Sequence, residues 1–298
     1  MRKLFKTIMI VWAITACIGL TGCKSKEKKA EEKKMEKCLS SIQKGLENRW
    51  KLTNDDTNDI NKLHNETKKG VAEELKTAKT YENTKFKDKK FEKLVRSYVE
   101  ALKAQGKGID YEFTDSKQYE NLFNKKGYDV RSKDLKKLVN DYKLEVDSKY
   151  KSTLKDVIKG DRRERISIGD NVTVNTQYGK VELCIDEFTK STEPDKDVKN
   201  GDFVELLRYK LHNISFDDGG GYVALKDIIT VKGMDGYNID PYDCQWEDGS
   251  QYAIDSYMIE LPKGQGKRTA CPYILSKDTK MVYLEIGNQY DMILKVEK

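Results

Sequence analysis

Apolar residues between positions 35 and 160 recur at steps of three and four, which is the spacing of one face of an α-helix. The first such stripe comprises Met35, Leu39, Ile42, Leu46 and Trp50. Comparable stripes follow in further segments, and the last of them ends at Gly160. This part of the chain contains no proline. Four to five helices joined by short links predict an antiparallel helical bundle.

The hydrophobic pattern changes from a helical period to strand alternation near Ile166. In the run GKVELCIDEF, Val181, Leu183 and Ile185 alternate with polar residues, so we assign them to the buried face of a strand. In the next run, DFVELLRYKLHN, we assign Glu205 to the polar face. More short apolar runs follow, separated by Gly- and Asp-rich turns such as DDGGG and EDGS. Seven to nine short strands predict an all-β sandwich.

The two patterns together predict an α+β fold of two domains, a helical bundle at residues 38–160 and a β-sandwich at residues 165–298. Charge divides the chain at the same place. Residues 38–164 carry 30 basic and 23 acidic side chains, a net +7, whereas residues 165–298 carry 16 basic and 23 acidic, a net −7. The overall charge of +6 therefore does not indicate a nucleic-acid partner, and none is expected.

The N-terminus shows the pattern of an export signal. Arg2, Lys3 and Lys6 form a positively charged start, and the apolar core that follows, Ile8 to Leu20, is 13 residues long. A membrane-spanning helix needs about 20 apolar residues, so this core is too short to span and fits a secretory signal. We predict a signal peptide at residues 1–22.

The end of that apolar core carries a recognisable motif, made of Leu20, Thr21, Gly22 and Cys23. It resembles the lipobox of bacterial lipoproteins, at which a dedicated peptidase cleaves before the cysteine. The resemblance implies a diacylglycerol linked through a thioether to Cys23. It predicts an extracytoplasmic protein that is attached to the cell membrane by this lipid. The alternative is an ordinary signal peptide with an incidental cysteine.

The stretch after the lipobox is almost entirely charged. Of the 14 residues at 24–37, seven are Lys and four are Glu. Such a segment buries too little apolar surface to fold alone, so we predict a charged tether at residues 23–37. The alternative is that it continues as the exposed start of the first helix, since Lys, Glu and Ala all favour helices.

Four further cysteines follow Cys23, namely Cys38, Cys184, Cys244 and Cys271. An even number in an exported protein permits disulfides. If one forms, we expect Cys244 to pair with Cys271, because strand alternation points both side chains into the sandwich. The alternative is that the cysteines are buried thiols that pack as small hydrophobic side chains.

Several motifs of catalysis are missing from the sequence, which contains no GxSxG, HExxH or phosphate loop. We expect His64 on a helix surface and His212 at a strand end. The acids between Asp235 and Asp248 lack EF-hand spacing and are explained by two turns. We therefore expect a protein that is not an enzyme and holds neither a cofactor nor a metal.

Several runs in the C-terminal half match a known type of domain: ISIGDNVTV, GKVELCIDEF, FVELLRYKLHN and LPKGQGKRTACPYILSKDTK. Together they resemble a family of immunoglobulin-like domains of unknown function, found in lipoproteins of Gram-positive bacteria and often labelled by a likeness to telomeric repeat-binding factor 2. The stretch from Phe216 to Asp235 looks like an insertion relative to that family. The resemblance implies an immunoglobulin-like sandwich, a Gram-positive source and a role in interaction.

Two classes of function remain open. In the first, the protein is a lipid-anchored, non-catalytic binding module that presents its β domain to a protein or cell-envelope partner. In the second, it is a ligand-binding or sensing lipoprotein that captures a small molecule, an ion or a wall fragment between its domains. A deep pocket between the domains, with converging polar groups, would favour the second class.

Overall fold

The structure is a computed structural model, and it describes residues 26–53, 57–191, 198, 201–242, 253–254 and 258–296. The predicted signal peptide and all four residues of the predicted lipobox, including Cys23, lie outside the described residues, and so does Cys244. Among the described helices, none is both long enough and apolar enough to cross a membrane.

The N-terminal half of the described chain is helical. Its elements are α1 (Lys26–Leu52), α2 (Ile60–Ala78), α3 (Lys89–Gly108), the short α4 (Ser116–Tyr119), a π-helix (Glu120–Tyr128), α5 (Asp129–Tyr142) and α6 (Lys151–Lys159). Asp59, Asp88 and Asp115 each accept a backbone hydrogen bond at a helix N-terminus. Gly160 ends α6 with φ +77°, a left-handed conformation that glycine adopts without strain.

Helix α1 begins at Lys26, so residues 26–37 of the predicted tether are helical. This start of α1 is held against the loop before α3. Lys34 Nζ donates to the carbonyl of Lys85 at 2.7 Å, and Glu31 accepts from the backbone N–H of Lys87 at 2.5 Å. From Lys26 onward, the charged segment is therefore the start of the first helix, and its side chains bind a neighbouring loop.

The helical stripes face a common core, as their spacing predicts. Ile42, Leu46 and Trp50 of α1 are buried, together with apolar residues of α3 and α5. At Gly127 the π-helix passes close to α3. A Cβ at Gly127 would lie 2.4 Å from Gln105 Cγ, so glycine permits this approach.

A charged cluster lies inside the bundle, on faces that the apolar stripes do not reveal. Glu74 is fully buried, and its carboxylate accepts hydrogen bonds from Arg131 Nε at 2.7 Å and from Arg49 Nη1 at 2.9 Å. The hydroxyl of Tyr98 donates to the same carboxylate. Burial by itself raises the pKa of Glu74, but Arg131 and Arg49 outweigh it and lower the pKa, so the carboxylate is held ionised.

The C-terminal half is built of strands. They are β1 (Glu164–Arg165), β2 (Asn171–Thr176), β3 (Gly179–Lys190), β4 (Phe203–Asn213), β5 (Tyr222–Ala224), β6 (Ile229–Gly233), β7 (Ala253–Ile254), β8 (Met258–Glu260), β9 (Gly266–Leu275), β10 (Met281–Ile286) and β11 (Tyr290–Lys295). Among the described strands, one sheet has the order β1-β11-β10-β6 and a second the order β2-β3-β4-β9-β7, while β5 and β8 form a separate ribbon.

The two larger sheets enclose one apolar core. Val181, Leu183 and Ile185 point into it from the second sheet, as their alternation predicts, and Leu284 and Leu294 point into it from the first. The predicted fold class is therefore confirmed, an α+β fold with a helical region followed by a β-sandwich. The exact domain bounds, residues 38–160 and 165–298, stay a prediction, although the main cores of the two halves are distinct.

One assignment in the sandwich is wrong. Glu205 of β4, expected on the polar face, is fully buried. Strand β4 lies between β3 and β9 in the middle of its sheet, and both of its faces are covered along Val204 to Leu207. Glu205 is two residues from both Phe203 and Leu207, so strand alternation places it on the same face as these core residues.

Candidate functional site

A cleft of about 330 Å³ lies between the helical region and the first sheet of the sandwich. The helical side contributes α2, the turn after α3 and the π-helix, and the other side contributes β6, β10 and β11. The chain crosses between them through Asp161 to Arg165, the segment that separates the predicted helical and β domains. A pocket between the two halves is the feature expected of the ligand-binding class of function.

One wall of the cleft is largely apolar and comes from the helical region. Its members are Ile60, Leu63, Ile109, Tyr119 and Phe123. Tyr119 and Phe123 stack with ring centroids 4.9 Å apart and planes 9° from parallel. Leu63 remains 37% exposed, so its side chain offers apolar surface to the cleft. Such a wall favours an apolar group of a ligand.

The rim of the cleft is closed by a contact between the start of α2 and the turn after β6. The backbone N–H of Ile60 donates to the carbonyl of Met234 at 2.9 Å. Gly236 has φ +85°, and a Cβ there would lie 2.0 Å from the carbonyl oxygen of Asn58. Glycine therefore lets the two halves touch at this point.

Arg165 is the main contact between the two halves at the base of the cleft. Its Nε donates to Asp291 Oδ1 at 2.5 Å, its Nη1 donates to the carbonyl of Glu112 at 3.0 Å, and its guanidinium carbon lies 4.6 Å from the ring centroid of Tyr119. Only 2% of its side chain is exposed. Burial by itself lowers the pKa of Arg165, but Asp291 outweighs it and raises the pKa.

Strand pairing sets the position of this arginine. Strand β1 runs parallel to β11, with Arg165 opposite Asp291 in the register. Arg162, three residues earlier, binds the helical region instead. Its guanidinium donates to Asp129 at 2.9 and 3.0 Å and to Glu120 at 2.9 Å. The linker is therefore attached to both halves, which fixes the walls of the cleft relative to each other.

The charged wall of the cleft is formed by Arg163, Lys232 and Glu285. Arg163 Nη1 lies 2.8 Å and Lys232 Nζ 2.9 Å from the same oxygen, Glu285 Oε1. Burial by itself raises the pKa of Glu285, but the hydrogen bond from Lys232 and the charge of Arg163 outweigh it and lower the pKa. The group therefore carries two positive charges and one negative charge near neutral pH.

His64 lies in the cleft, and its expected place on a helix surface is wrong. Only 16% of its side chain is exposed, Nδ1 lies 2.6 Å from Glu112 Oε2, and its ring packs 4.7 Å from the centroid of Phe113. The expectation fails because α2 is covered by the turn after α3, which periodicity within α2 does not reveal. His212, in contrast, is a strand-end residue as expected, with Nδ1 3.1 Å from Glu182.

The cysteines of the described chain lie away from the cleft. Cys38 is buried in the helical core, and burial raises the pKa of its thiol to about 12. Cys271 is fully buried in the sandwich core beside Tyr273, as strand alternation predicts. Its expected partner Cys244 lies outside the described residues, so the disulfide stays a prediction.

Among the described residues, no group of three or more His, Cys, Asp or Glu side chains is arranged to hold a metal ion. Asp235 accepts from the backbone N–H of Tyr237 within a turn, whereas Asp243, Glu247 and Asp248 lie outside the described residues.

The residues that line the cleft were not identified from the sequence. The run DRRER at 161–165 is visible as a cluster of basic residues at the domain boundary, and that is the one local signal for Arg163 and Arg165. Their partners Lys232, Glu285 and Asp291 lie 69 to 126 residues away, and only the fold brings them together.

Comparison with known proteins yields no family for this chain. No protein-family model matches the sequence, and no curated protein matches it. The resemblance to the immunoglobulin-like lipoprotein family therefore stays a prediction.

Two solved structures are similar to parts of the chain. One is MPT63, a secreted protein from Mycobacterium tuberculosis, with 14% identity and a TM-score of 0.31, covering 45% of this chain and 98% of the other. The second is YcdA from Bacillus subtilis, named as a candidate lipoprotein, with 9% identity and a TM-score of 0.29, covering 44% of this chain and 39% of the other. At scores this low the likeness carries no argument about fold or function.

Proposed function

We propose that the protein is an extracytoplasmic, lipid-anchored lipoprotein that binds a small amphipathic molecule in the cleft between its helical region and its β-sandwich. The observation that carries this proposal is the cleft itself, a cavity of about 330 Å³ with an apolar wall on one side and a charged wall on the other. Ligand pockets typically measure about 300–1,000 Å³ and occur preferentially at domain interfaces. The cleft lies at the small end of that range.

The construction of the cleft supports binding by a rigid, preformed site. Arg165 and Arg162 hold the linker to both halves, and the turn after β6 touches the start of α2. A site whose walls are already fixed loses little conformational entropy when a ligand enters. The proposal therefore does not require the domains to close around the ligand.

The side chains of the cleft support binding rather than catalysis. Asp291 is held by Arg165 and by the hydroxyl of Tyr283 at 3.0 Å, and Glu112 is held by His64. An acid or base that is committed to a neighbouring side chain is poorly placed to exchange a proton with a substrate. The proposed role is consequently that of a non-catalytic binding protein.

The N-terminal sequence supports the location of this activity. The charged start, the short apolar core and the lipobox ending in Cys23 resemble the signal of a lipoprotein. A diacylglycerol supplies two acyl chains, which suffice for stable membrane attachment where a single chain is marginal. The binding cleft is thereby proposed to work at the outer face of the cell membrane.

The test uses a side chain that blocks the cleft. Leu63→Trp places a larger ring at a partly exposed position on the apolar wall, and Leu52→Trp, at the end of α1, is a matched control with 38% exposure outside the cleft. The chain from Lys24 onward, which contains every described residue, is incubated with the low-molecular-mass fraction of a cell-envelope extract. Native mass spectrometry then reports any bound molecule.

We expect the unsubstituted chain and Leu52→Trp to retain the same small molecule and Leu63→Trp to lose it, with all three melting at similar temperatures. Equal retention by Leu63→Trp would show that the cleft is not the binding site. Retention by none of the three would contradict ligand binding as the function.

A further inference from the structure

The charged wall of the cleft has a composition that selects one type of ligand. Arg163 and Lys232 converge on a single carboxylate oxygen of Glu285, so this cluster carries an excess of one positive charge. The other two acids of the cleft lining pair with other side chains, Asp291 with Arg165, and Glu112 with His64 and, at 3.9 Å, with Arg165. The excess is therefore local to Arg163, Lys232 and Glu285, since the whole lining holds three Arg and Lys side chains and three Glu and Asp side chains.

Both cations of this cluster retain access to the cleft. Arg163 is 32% exposed and Lys232 is 25% exposed, whereas Arg165 is 2% exposed and saturated by its partners. Lys232 Nζ has three donor hydrogens and the guanidinium of Arg163 has five, so one shared carboxylate oxygen leaves donors for a further acceptor. A second anion can therefore bind without displacing Glu285.

The positions of the two walls determine how a bound ligand would be oriented in the cleft. Lys232 and Glu285 belong to strands β6 and β10 of the sandwich, and Arg163 precedes β1. The apolar wall, with Leu63 and Ile109, belongs to the helical region on the opposite side. A ligand that satisfies both walls has a negative charge at one end and an apolar group at the other.

We propose, on the basis of the proposed cleft function, that the ligand is a small amphipathic carboxylate whose anionic end binds between Arg163 and Lys232 and whose apolar end packs against α2. A single excess charge matches a monoanion better than a phosphate dianion, which would leave one negative charge uncompensated in a half-buried site. Charge-assisted hydrogen bonds from an ammonium and a guanidinium to a carboxylate supply both affinity and orientation. An amine of the same shape would place its positive charge beside Arg163 and Lys232, and this repulsion disfavours its binding.

The test compares headgroups on one apolar tail. Isocaproate, isoamyl alcohol and isoamylamine share a branched hydrocarbon end and differ in charge at the other end, and acetate supplies the carboxylate without the tail. Ligand-observed NMR titrations of the chain from Lys24 onward measure the dissociation constant of each probe. We expect isocaproate to bind tightest of the four, and isoamylamine to bind at least tenfold more weakly.

Substitutions then assign the anionic end. Lys232→Gln removes the excess charge and leaves the ion pair of Arg163 and Glu285 in place. It should raise the dissociation constant of isocaproate about ten- to a hundredfold, which is the range expected for the loss of a charge-assisted hydrogen bond. Arg163→Gln should have a similar effect. Lys280→Gln, at an exposed position just before β10, is the matched control and should leave the constant unchanged.

Each outcome separates this inference from the cleft function. Equal binding of isocaproate, the alcohol and the amine, or an unchanged constant in Lys232→Gln, would overturn the carboxylate inference while leaving a cleft that Leu63→Trp blocks. Binding of isocaproate that Leu63→Trp does not affect would overturn both. Loss of the envelope-derived molecule in Leu63→Trp, with no isocaproate binding at millimolar concentration, would overturn the carboxylate class alone.

Discussion

Replacing Arg165 by glutamine should destabilise the whole protein, because this side chain joins the helical region to the sandwich. In the substituted chain, Asp291 loses its close partner at 2.5 Å and the carbonyl of Glu112 loses a donor at 3.0 Å. Tyr119 loses the cation over its ring. The shorter, neutral glutamine cannot reproduce the forked geometry of the guanidinium.

The magnitude follows from burial. Arg165 is 2% exposed and Asp291 15% exposed, so removing the arginine leaves a carboxylate that is largely out of water. Breaking a buried ion pair in this way costs about 3–5 kcal/mol, and the partial exposure of Asp291 places our expectation near 3 kcal/mol. At about 2–4 °C per kcal/mol for a chain of this size, the melting temperature should fall by about 6–12 °C.

Differential scanning calorimetry of the chain from Lys24 onward measures this change. The control is Lys125→Gln, since Lys125 is 58% exposed and lies 3.6 Å from Glu164 of the linker. An exposed ion pair contributes about 0–1 kcal/mol, so this variant should melt within about 4 °C of the parent chain. The comparison separates a buried contact across the two halves from an exposed one.

A double-mutant cycle with Asp291→Asn decides whether the pair itself is responsible. The losses of unfolding free energy in the two single variants should add up to more than the loss in the double variant, by more than about 1 kcal/mol. The reason is that, in the double variant, asparagine at position 291 leaves no unpaired carboxylate to be buried. Losses that add to within about 0.5 kcal/mol would refute the pairing argument. A melting temperature unchanged in Arg165→Gln would refute the claim that this contact joins the halves.

Three further predictions concern charge, anchoring and cysteine chemistry. The hydrogen bond from Lys89 lowers the pKa of Glu92 to about 2, so Glu92 stabilises the folded chain fully above its unfolded pKa near 4.5 and loses this contribution as the pH falls toward 2. Glu92→Gln should therefore make the stability of the chain depend less on pH in that window. An unchanged pH profile of unfolding, followed by circular dichroism, would contradict this. Cys23→Ala should abolish metabolic labelling by a palmitate analogue, and equal labelling would remove the lipid assignment. Alkylation of both Cys244 and Cys271 without prior reduction, read by mass spectrometry, would exclude their disulfide.

The local pattern of apolar and polar residues was enough to predict the helices, the strands and the class of fold. The helical spacing of Ile42, Leu46 and Trp50 and the alternation of Val181 and Leu183 both correspond to buried faces in the structure. These patterns work because a helix or a strand that borders water on one side repeats its apolar residues with its own period. The change of period also places the boundary between the two halves near residue 164.

Pattern failed where an element is covered on more than one side. Glu74 is buried against Arg49 and Arg131, although all three look like surface residues in the sequence. The burial of these three is tolerated because each charge has a partner of opposite sign on another helix, and such partners are not neighbours in the chain. Glu205 is buried as well, on the face of β4 that it shares with Leu207.

The sequence by itself determined the helical and strand-forming halves and the opposite net charges of those halves, and it predicts an export signal, since each depends on residues that are close together along the chain. Only the tertiary structure decided the cleft and its chemistry. Parallel pairing of β1 with β11 places Arg165 beside Asp291, and pairing of β6 with β10 places Lys232 beside Glu285. The register of strands that are this far apart in the sequence is set by packing of the whole sheet, so no local run of residues predicts that these charged side chains lie in contact.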